Sequence, residues 1–381
     1  MIYVHIPFCR SFCTYCDFYS EVAAKCRRDD ESRFGQYADA LCAEIRSRAS
    51  EITEEVNTLY IGGGTPSVLP LYVFERLVST LREVGHGGPF DEFTVEVNPE
   101  DIVEKGEEYI KGLLDLGVNR ISMGVQSFDD GILRWMNRRH NSDAAAMAYA
   151  MLENAGVQNI SIDLIFGLSQ LSDDQWKETL KKALEISPRG ILPQHISSYQ
   201  LSVEPGSALA KLVEKGLWSE ASDELCERQY GMLCEALASA GYRHYEISNF
   251  ALPGYEAKHN SAYWSHKTYV GLGPGAHSYV GGVRKWNNPD LAAYLCAAEA
   301  GDFGLVTGSE ELTEEQLKLE RVMLGLRTAE GLTEESMREC CDASSLDRGL
   351  AAGDVVRTEE GRLRIPEDRF FISDAIIAEL V

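Results

Sequence analysis

Six short apolar or β-branched runs recur through the first half of the chain: IYVHI at 2–6, TLYIG at 58–62, FTVEV at 93–97, RISMGV at 120–125, ISIDLIFG at 160–167 and HISSYQL at 195–201. Each reads as a strand. The segments between them carry a helical period: Phe34, Tyr37, Ala38, Leu41 and Ile45 share one helix face, and Trp176, Leu180 and Leu184 repeat the pattern. Gly117, Gly156 and Gly241 stand where helices stop, in DLGVNR, NAGVQN and SAGYRH. Strand, helix, strand, repeated in this way, predicts parallel strands joined by right-handed crossovers. A count of six predicts an open or partial α/β barrel rather than the closed eight-fold one, with functional groups at the C-terminal ends of the strands.

After Ser202 the alternation stops. A helix over about 222–240 leads into a Gly-, aromatic- and His-rich passage, and from about 311 the pattern reads helix, short helix, hairpin (VVRTEEGRLRI) and terminal helix (ISDAIIAEL). The expected organisation is a partial barrel over 1–205, a connecting region over 206–300 that carries HNSAYW, and a smaller, mainly helical, winged-helix-like module over 301–381. No stretch approaches the roughly 20 apolar residues of a membrane span, and no basic-then-apolar leader precedes the first strand, so a cytoplasmic protein is expected. A formal charge of -24 repels a phosphate backbone and argues against a nucleic-acid partner. The acidic C-terminal module is accordingly expected to pack or to meet a partner, not to read DNA.

Ten cysteines in a long chain with uneven spacing do not describe a disulfide framework. Cys26, Cys42, Cys226, Cys234, Cys296, Cys340 and Cys341 recur at no ligand spacing and read as packing thiols. Cys9, Cys13 and Cys16 differ: CxxxCxxC directly after the first strand puts three thiols on one irregular loop, and thiolates crowd together only where a cation neutralises them. Structural zinc wants a fourth ligand in paired spacing, which no second CxxC or HxxxH supplies. An iron-sulfur cluster held by three cysteines, with one iron left open, fits better; the alternative is three buried cysteines without chemical consequence. Tyr15, beside the last of them, packs locally or shields the cluster from water. GGGTP at 62–66 ends the second strand with glycines that let backbone approach a ligand, or with a simple tight turn.

This combination, CxxxCxxC at the first strand of a partial barrel followed by YIGGGTP, resembles the radical S-adenosylmethionine (SAM) superfamily. The resemblance implies a 4Fe-4S cluster whose open iron is chelated by the amino and carboxylate groups of SAM. It further implies cleavage of the sulfonium bond, on reduction of the cluster, to a 5′-deoxyadenosyl radical. More closely, HIPFCxxxCxYCDF, GGGTPS, EVNPE, RISMGVQSF, DLIFGL, YEISNFA, HNSAYW and GLGPGAHS, running in order from Tyr3 to about Trp286, resemble the anaerobic coproporphyrinogen oxidases and their sister branch, the HemW-type heme chaperones. By that resemblance Tyr3, Gly63 and Glu96 contact the cluster-bound SAM. Tyr15, Gly64, Thr65, Gln126, Arg138 and Asp163 match positions where the oxidases contact a second SAM. On the residues alone, Asp163 sits inside an apolar strand and needs a partner, either a ligand hydroxyl or Arg138, and Arg138 is as much a solvated helix residue as a binding one.

Two departures separate the branches. The oxidases carry a further cysteine two residues after the third, where this chain has Phe18, and they begin with an arm before the first strand, which here starts at residue 2. Both imply the chaperone branch, whose members bind heme and pass it to an acceptor protein, here unknown. The other readings are an oxygen-independent coproporphyrinogen III oxidase that decarboxylates propionates, and an idle cluster-bearing scaffold. HNSAYW matches a segment of the chaperone branch linked to heme: His259 ligates iron with Tyr263 or Trp264 against the porphyrin, or else His259 and Asn260 cap local structure while the aromatics fill an interface. His5 either orients the cluster loop or a ligand carboxylate or only satisfies a backbone carbonyl, His277 carries the same ambiguity as His5, and no residue is assigned a catalytic role.

Overall fold

The computed structural model describes residues 1–23, 27–53 and 57–381; Cys26, expected to be a packing thiol, lies outside the described residues. All six expected strands form: β1 Ile2–Ile6, β2 Thr58–Gly63, β3 Glu92–Val97, β4 Arg120–Gln126, β5 Ile160–Phe166 and β6 His195–Gln200. They lie parallel and in chain order. The crossovers carry α1 Arg27–Arg48, α2 Leu71–Glu83, α3 Pro99–Asp115, α4 Asp130–Trp135, α5 Ser142–Ala155 and α6 Asp173–Leu184. The predicted face of α1, Phe34 through Ile45, is buried, and Gly156 ends α5 in the left-handed conformation at φ 96°.

The strands divide their side chains by parity. One phase, Val4, Ile6, Leu59, Ile61, Phe93, Val95, Ile121, Met123, Ile162 and Leu164, joins the apolar core under the helices. The other phase carries Tyr60, Glu96, Arg120, Ser122, Asp163 and Ser197 and lines a cavity. Register makes rungs of this set: Glu96 stands beside Ser122, Gly124 beside Asp163, and Asp163 beside Ser197. Parallel strands covered on both faces are usually apolar throughout. Here only the helix-facing half is, so the barrel lumen is a polar chamber rather than packed interior.

The sheet is larger than the six strands expected. β7 Arg243–Glu246, β8 Asn249–Ala251 and β9 Val270–Leu272 join it, giving the order β9-β1-β2-β3-β4-β5-β6-β8-β7. β9 runs parallel to β1, while β8 is antiparallel to both β6 and β7. These strands of three or four residues are too short to show a period in the sequence. The segment 206–300 is thus built into the barrel sheet. It also holds α7 Ala208–Glu214, α8 Asp223–Ser239, α9 Lys258–Trp264, α10 Leu291–Ala300 and, with Thr307–Glu311, an antiparallel sheet of β10 His277–Val280, β11 Val283–Asn287 and β12 Thr307–Glu311.

The C-terminal part comprises α11 Glu314–Gly325, β13 Leu332–Thr333, α12 Glu334–Cys340, α13 Ala343–Ala352, β14 Val356–Arg357, β15 Arg362–Arg364 and α14 Ser373–Leu380. The expected hairpin is β14 with β15. α13 was not expected: ASSLDRGLAA buries little besides Leu346 and is defined by its ends, with Asp342 accepting from the Ser345 N–H at 2.8 Å and Gly353 in the left-handed region. The part is bonded to the barrel edge, Ile247 N donating to Arg327 O at 3.0 Å and Ala329 N to Tyr245 O at 2.9 Å. Among the described residues no helix is long and apolar enough to cross a membrane.

Candidate functional site

The chain leaves β1 at Ile6 and enters the cysteine loop, which returns through a short parallel pairing of Phe8–Cys9 with Glu21–Val22. The end of β2 holds the loop in place. Gly64 N donates to Ile6 O at 2.8 Å and Thr65 N to Phe8 O at 2.7 Å, while Gly63 N donates to Glu96 Oε2 at 3.2 Å. The amides of GGGTP are therefore spent on the loop and on Glu96, not left for a ligand. Their glycines follow from the same closeness: a Cβ on Gly64 would stand 2.7 Å from Phe8 O and 3.1 Å from Cys9 Sγ. From the far side, Thr14 N and Oγ1 donate to Met136 O and Trp135 O, and Asn137 Nδ2 to Phe12 O.

Above the lumen and beneath this loop opens a cavity of about 650 Å³. Cys9, Cys13, Cys16, Tyr15, Gly63, Gly64, Thr65, Glu96, Gln126, Arg138 and Asp163 all line it. Tyr3 and His259 do not. Tyr3 stands behind the wall, its hydroxyl 3.1 Å from His5 Nδ1 and its ring 6.2 Å from that of Tyr60. His5, in turn, holds Tyr19 O through Nε2 at 2.8 Å, the plain structural role among its alternatives.

Two of the carboxyls that line the chamber stand on its strands. Glu96 Oε1 accepts from the Tyr60 hydroxyl at 2.7 Å, and burial pushes its pKa up to about 7 against the help of Tyr60 and Gly63. Asp163 is likewise raised by burial, opposed by Ser197, Arg120 and Ser122, whose hydroxyl lies 3.3 Å from Oδ1. Its hydrogen-bond partners are thus serines on the neighbouring strands, and Arg138 acts on it only through space. Arg138 itself is not on a helix. It lies in the loop after α4, with Nη2 donating to Asn98 Oδ1 at 2.6 Å and to Gly124 O at 2.7 Å. Sequence reasoning passed over Arg120, Asn98, Ser197 and Tyr199, which also line the cavity, and weighed Asn260, which lines it too, only as a cap. The first four were legible in part, since Arg120, Ser197 and Tyr199 share the polar phase of their strands and Asn98 follows β3.

The implied cluster can be tested against this geometry. Nine described cysteines are free thiols, and among the described residues no three His, Cys, Asp or Glu side chains converge on a point suited to a single metal ion. Cys9, Cys13 and Cys16 instead surround one side of a roomy cavity, as a polynuclear cluster with each thiolate on a different iron requires. Burial raises the Cys9 thiol and pushes Cys16 up to about 12, so cluster assembly must displace their protons. The residues fit the group.

HNSAYW forms α9, which closes the lower end of the barrel. Glu92 accepts from the first amides of the helix, Lys258 N at 2.7 Å and His259 N at 3.2 Å. The His259 ring is buried at 1 % exposure, with Nδ1 2.8 Å from Thr58 Oγ1 and Nε2 3.1 Å from the Tyr263 hydroxyl. Burial lowers its pKa to about 3. Both nitrogens are engaged, so His259 as it stands offers iron no free lone pair. The ring is thus held by one side chain of β2 and one of its own helix. Asn260, its neighbour, reaches the cavity from below.

Comparison with known proteins places this site in a lineage. The model of the radical SAM superfamily matches residues 3–183. The heme chaperone HemW of Lactococcus lactis is 38% identical over 87% of this chain and 83% of its own length. That of Bacillus subtilis is 34% identical over 88% and 86%, and that of Mycobacterium tuberculosis 33% identical over 100% and 94%. Among solved structures, the coproporphyrinogen III oxidase HemN of Escherichia coli superposes with a TM-score of 0.78 at 24% identity, covering 99% of this chain and 89% of that one, a likeness of fold. The chain belongs to the HemW family, within the radical SAM superfamily.

Proposed function

We propose that this protein binds heme and hands it to an acceptor protein, on a barrel that holds a 4Fe-4S cluster and SAM. The observation that carries the reading is the pairing of a three-cysteine cavity with relatives named heme chaperones over nearly their full length. When bound, the cluster and SAM supply one-electron chemistry that no side chain here provides. Cys9, Cys13 and Cys16 hold the cluster. Glu96, kept in place by Tyr60 and Gly63, would contact the cluster-bound SAM, and Tyr3 supports that wall from behind through His5. Gly64, Thr65, Gln126, Arg138 and Asp163, with Tyr15, define the remaining wall, where a second SAM is accommodated if one is bound. The polar lumen keeps this contact surface wet and selective for polar ligands, while the loop pinned by Gly64 and Thr65 limits access from above.

For heme, His259 remains the candidate ligand on the condition that α9 releases it from Thr58 and Tyr263. The free thiols suit a reducing cytoplasm. The C-terminal module 301–381 is the proposed face toward the acceptor. Anaerobic reconstitution tests the reading: supply heme, or coproporphyrinogen III with SAM and a reductant. Stoichiometric heme uptake without porphyrinogen turnover is expected. Conversion of coproporphyrinogen to protoporphyrinogen would make the protein an oxidase instead.

A further inference from the structure

Each cysteine sulfur of the loop meets a donor, and only one of those donors is a cation. Cys9 Sγ accepts from the Thr65 hydroxyl at 3.4 Å and meets that of Ser20, and Cys16 meets the Phe18 N–H. Cys13 meets the Tyr15 hydroxyl and, at 3.5 Å, Nη1 of Arg138. The same guanidinium extends further. Its Nη2 donates to Asn98 Oδ1, and Asn98 Nδ2 donates at 3.4 Å to Thr65 Oγ1, the hydroxyl that reaches Cys9. One arginine is thus tied to two of the three sulfurs, once directly and once through three hydrogen bonds by way of Asn98 and Thr65.

The surroundings are shaped to keep it there. Gly124 O fixes Nη2, and a Cβ on Gly124 would stand 3.4 Å from both Arg138 Nη2 and Asn98 Oδ1. Arg138 Nε is buried with no partner, so the guanidinium is not placed where its own hydrogen bonds are best served. The neighbouring arginines are already committed, Arg10 to Glu104 and Asp101, and Arg139 to Glu100 and Asp101.

We infer that Arg138 sets the reduction potential of the cluster, as a positioning residue acting through Cys13 and, by way of Asn98 and Thr65, through Cys9. This rests on the proposal that the loop holds a 4Fe-4S cluster. Reduction adds one electron to the cluster, and the added charge spreads onto its sulfurs. A fixed cation donating to a ligand sulfur stabilises the reduced form more than the oxidised one and so raises the potential. In a chain of net charge -24, with Glu96, Glu100 and Asp163 on the same cavity, Arg120 and Arg139 face carboxylates, whereas Arg138 is the cation that donates to a cysteine sulfur of the loop.

The test is a potentiometric titration followed by electron paramagnetic resonance on reconstituted full-length protein, without SAM, comparing wild type, R138Q and R138K. At the potential where half the wild-type cluster is reduced, the reduced-to-oxidised ratio in R138Q should fall by roughly tenfold, about 59 mV for a one-electron couple. R138K should fall several-fold, because an ammonium keeps the charge but loses the fork that reaches Asn98 and Cys13 together. Ratios within about twofold of wild type in both variants overturn the inference. If R138Q takes up no cluster, R138K decides alone by the same criterion. A wild-type chain that takes up no cluster overturns the cluster assignment beneath it, which is a separate and recognisable result.

Discussion

A carboxyl group in a sealed site avoids the cost of its charge by finding a cation or by keeping its proton. Glu246, fully buried at the barrel edge, has the Asn249 amide and the Ser248 N–H for company and no cation, and burial pushes its pKa up to about 7. Its folded value lies above the unfolded one, so the folded chain binds the extra proton. The contribution to stability is full below about pH 4.5 and is lost as pH rises through 7, worth roughly 3 kcal/mol. Glu96 follows the same sign and window. Denaturant titrations at pH 5 and pH 8 isolate this carboxyl by difference: between those two pH values the stability of E246Q should change in favour of pH 8, relative to wild type, by roughly 2–3 kcal/mol; equal changes in the two chains would refute the assignment. At the same scale, Cys9→Ala, Cys13→Ala and Cys16→Ala should each remove the cluster absorbance and most of the bound iron. Cys42→Ala, a buried thiol whose sulfur reaches only Arg76 O, should leave both unchanged.

What the sequence reveals about single residues follows from how local their causes are. The three thiols were legible because their spacing alone crowds them onto one loop, and the structure brings all three to one cavity. Arg138 was marked only by the family resemblance, because its partners Cys13, Asn98 and Gly124 come from three different segments and meet only through the barrel. For His259 the residue type suggests a ligand but says nothing of its surroundings, Thr58 from β2 and Tyr263 one turn on, which hold both ring nitrogens.

Among elements, the strands were read correctly because a period of two is visible in five or six residues, and the same parity carried the polar lumen. α9 is the element whose role sequence could not supply, since seven residues with no capping side chain depend on Glu92 from β3 for their first amides. Removing its anchors separates the two roles of His259. Thr58→Val with Tyr263→Phe keeps the ring but frees both nitrogens, at a cost of about 1–3 kcal/mol for each buried hydrogen bond lost. If His259 takes heme iron, the double variant should bind heme more tightly than wild type in a spectrophotometric titration while melting earlier. Weaker or unchanged binding with the same loss of stability would leave the histidine a purely structural anchor.

For the whole molecule, the C-terminal part is less separable than its composition suggests. The bridge between Glu246 and Thr328 continues the barrel sheet into it, and Phe370 packs edge-on against His244 with ring centroids 4.9 Å apart. Truncation after Leu312 should strip β7 of that cover and expose His244 and Tyr230. The expected result is a chain that aggregates or binds a hydrophobic dye at room temperature; a truncated chain with an unchanged melting curve would show the two parts to be independent.

β9 fills the remaining side of β1, with Val270 N donating to Met1 O at 3.0 Å and Gly271 beside Tyr3. During synthesis the cysteine loop therefore leaves the ribosome long before the strand that flanks it, and Gly64 and Thr65, which hold it, precede that strand by some two hundred residues as well. The loop has its β2 clasp early but a complete sheet around its root only after Leu272 has emerged. Assembly of the proposed cluster is thus timed by translation: the finished seat around the three thiols exists only when most of the chain has been made.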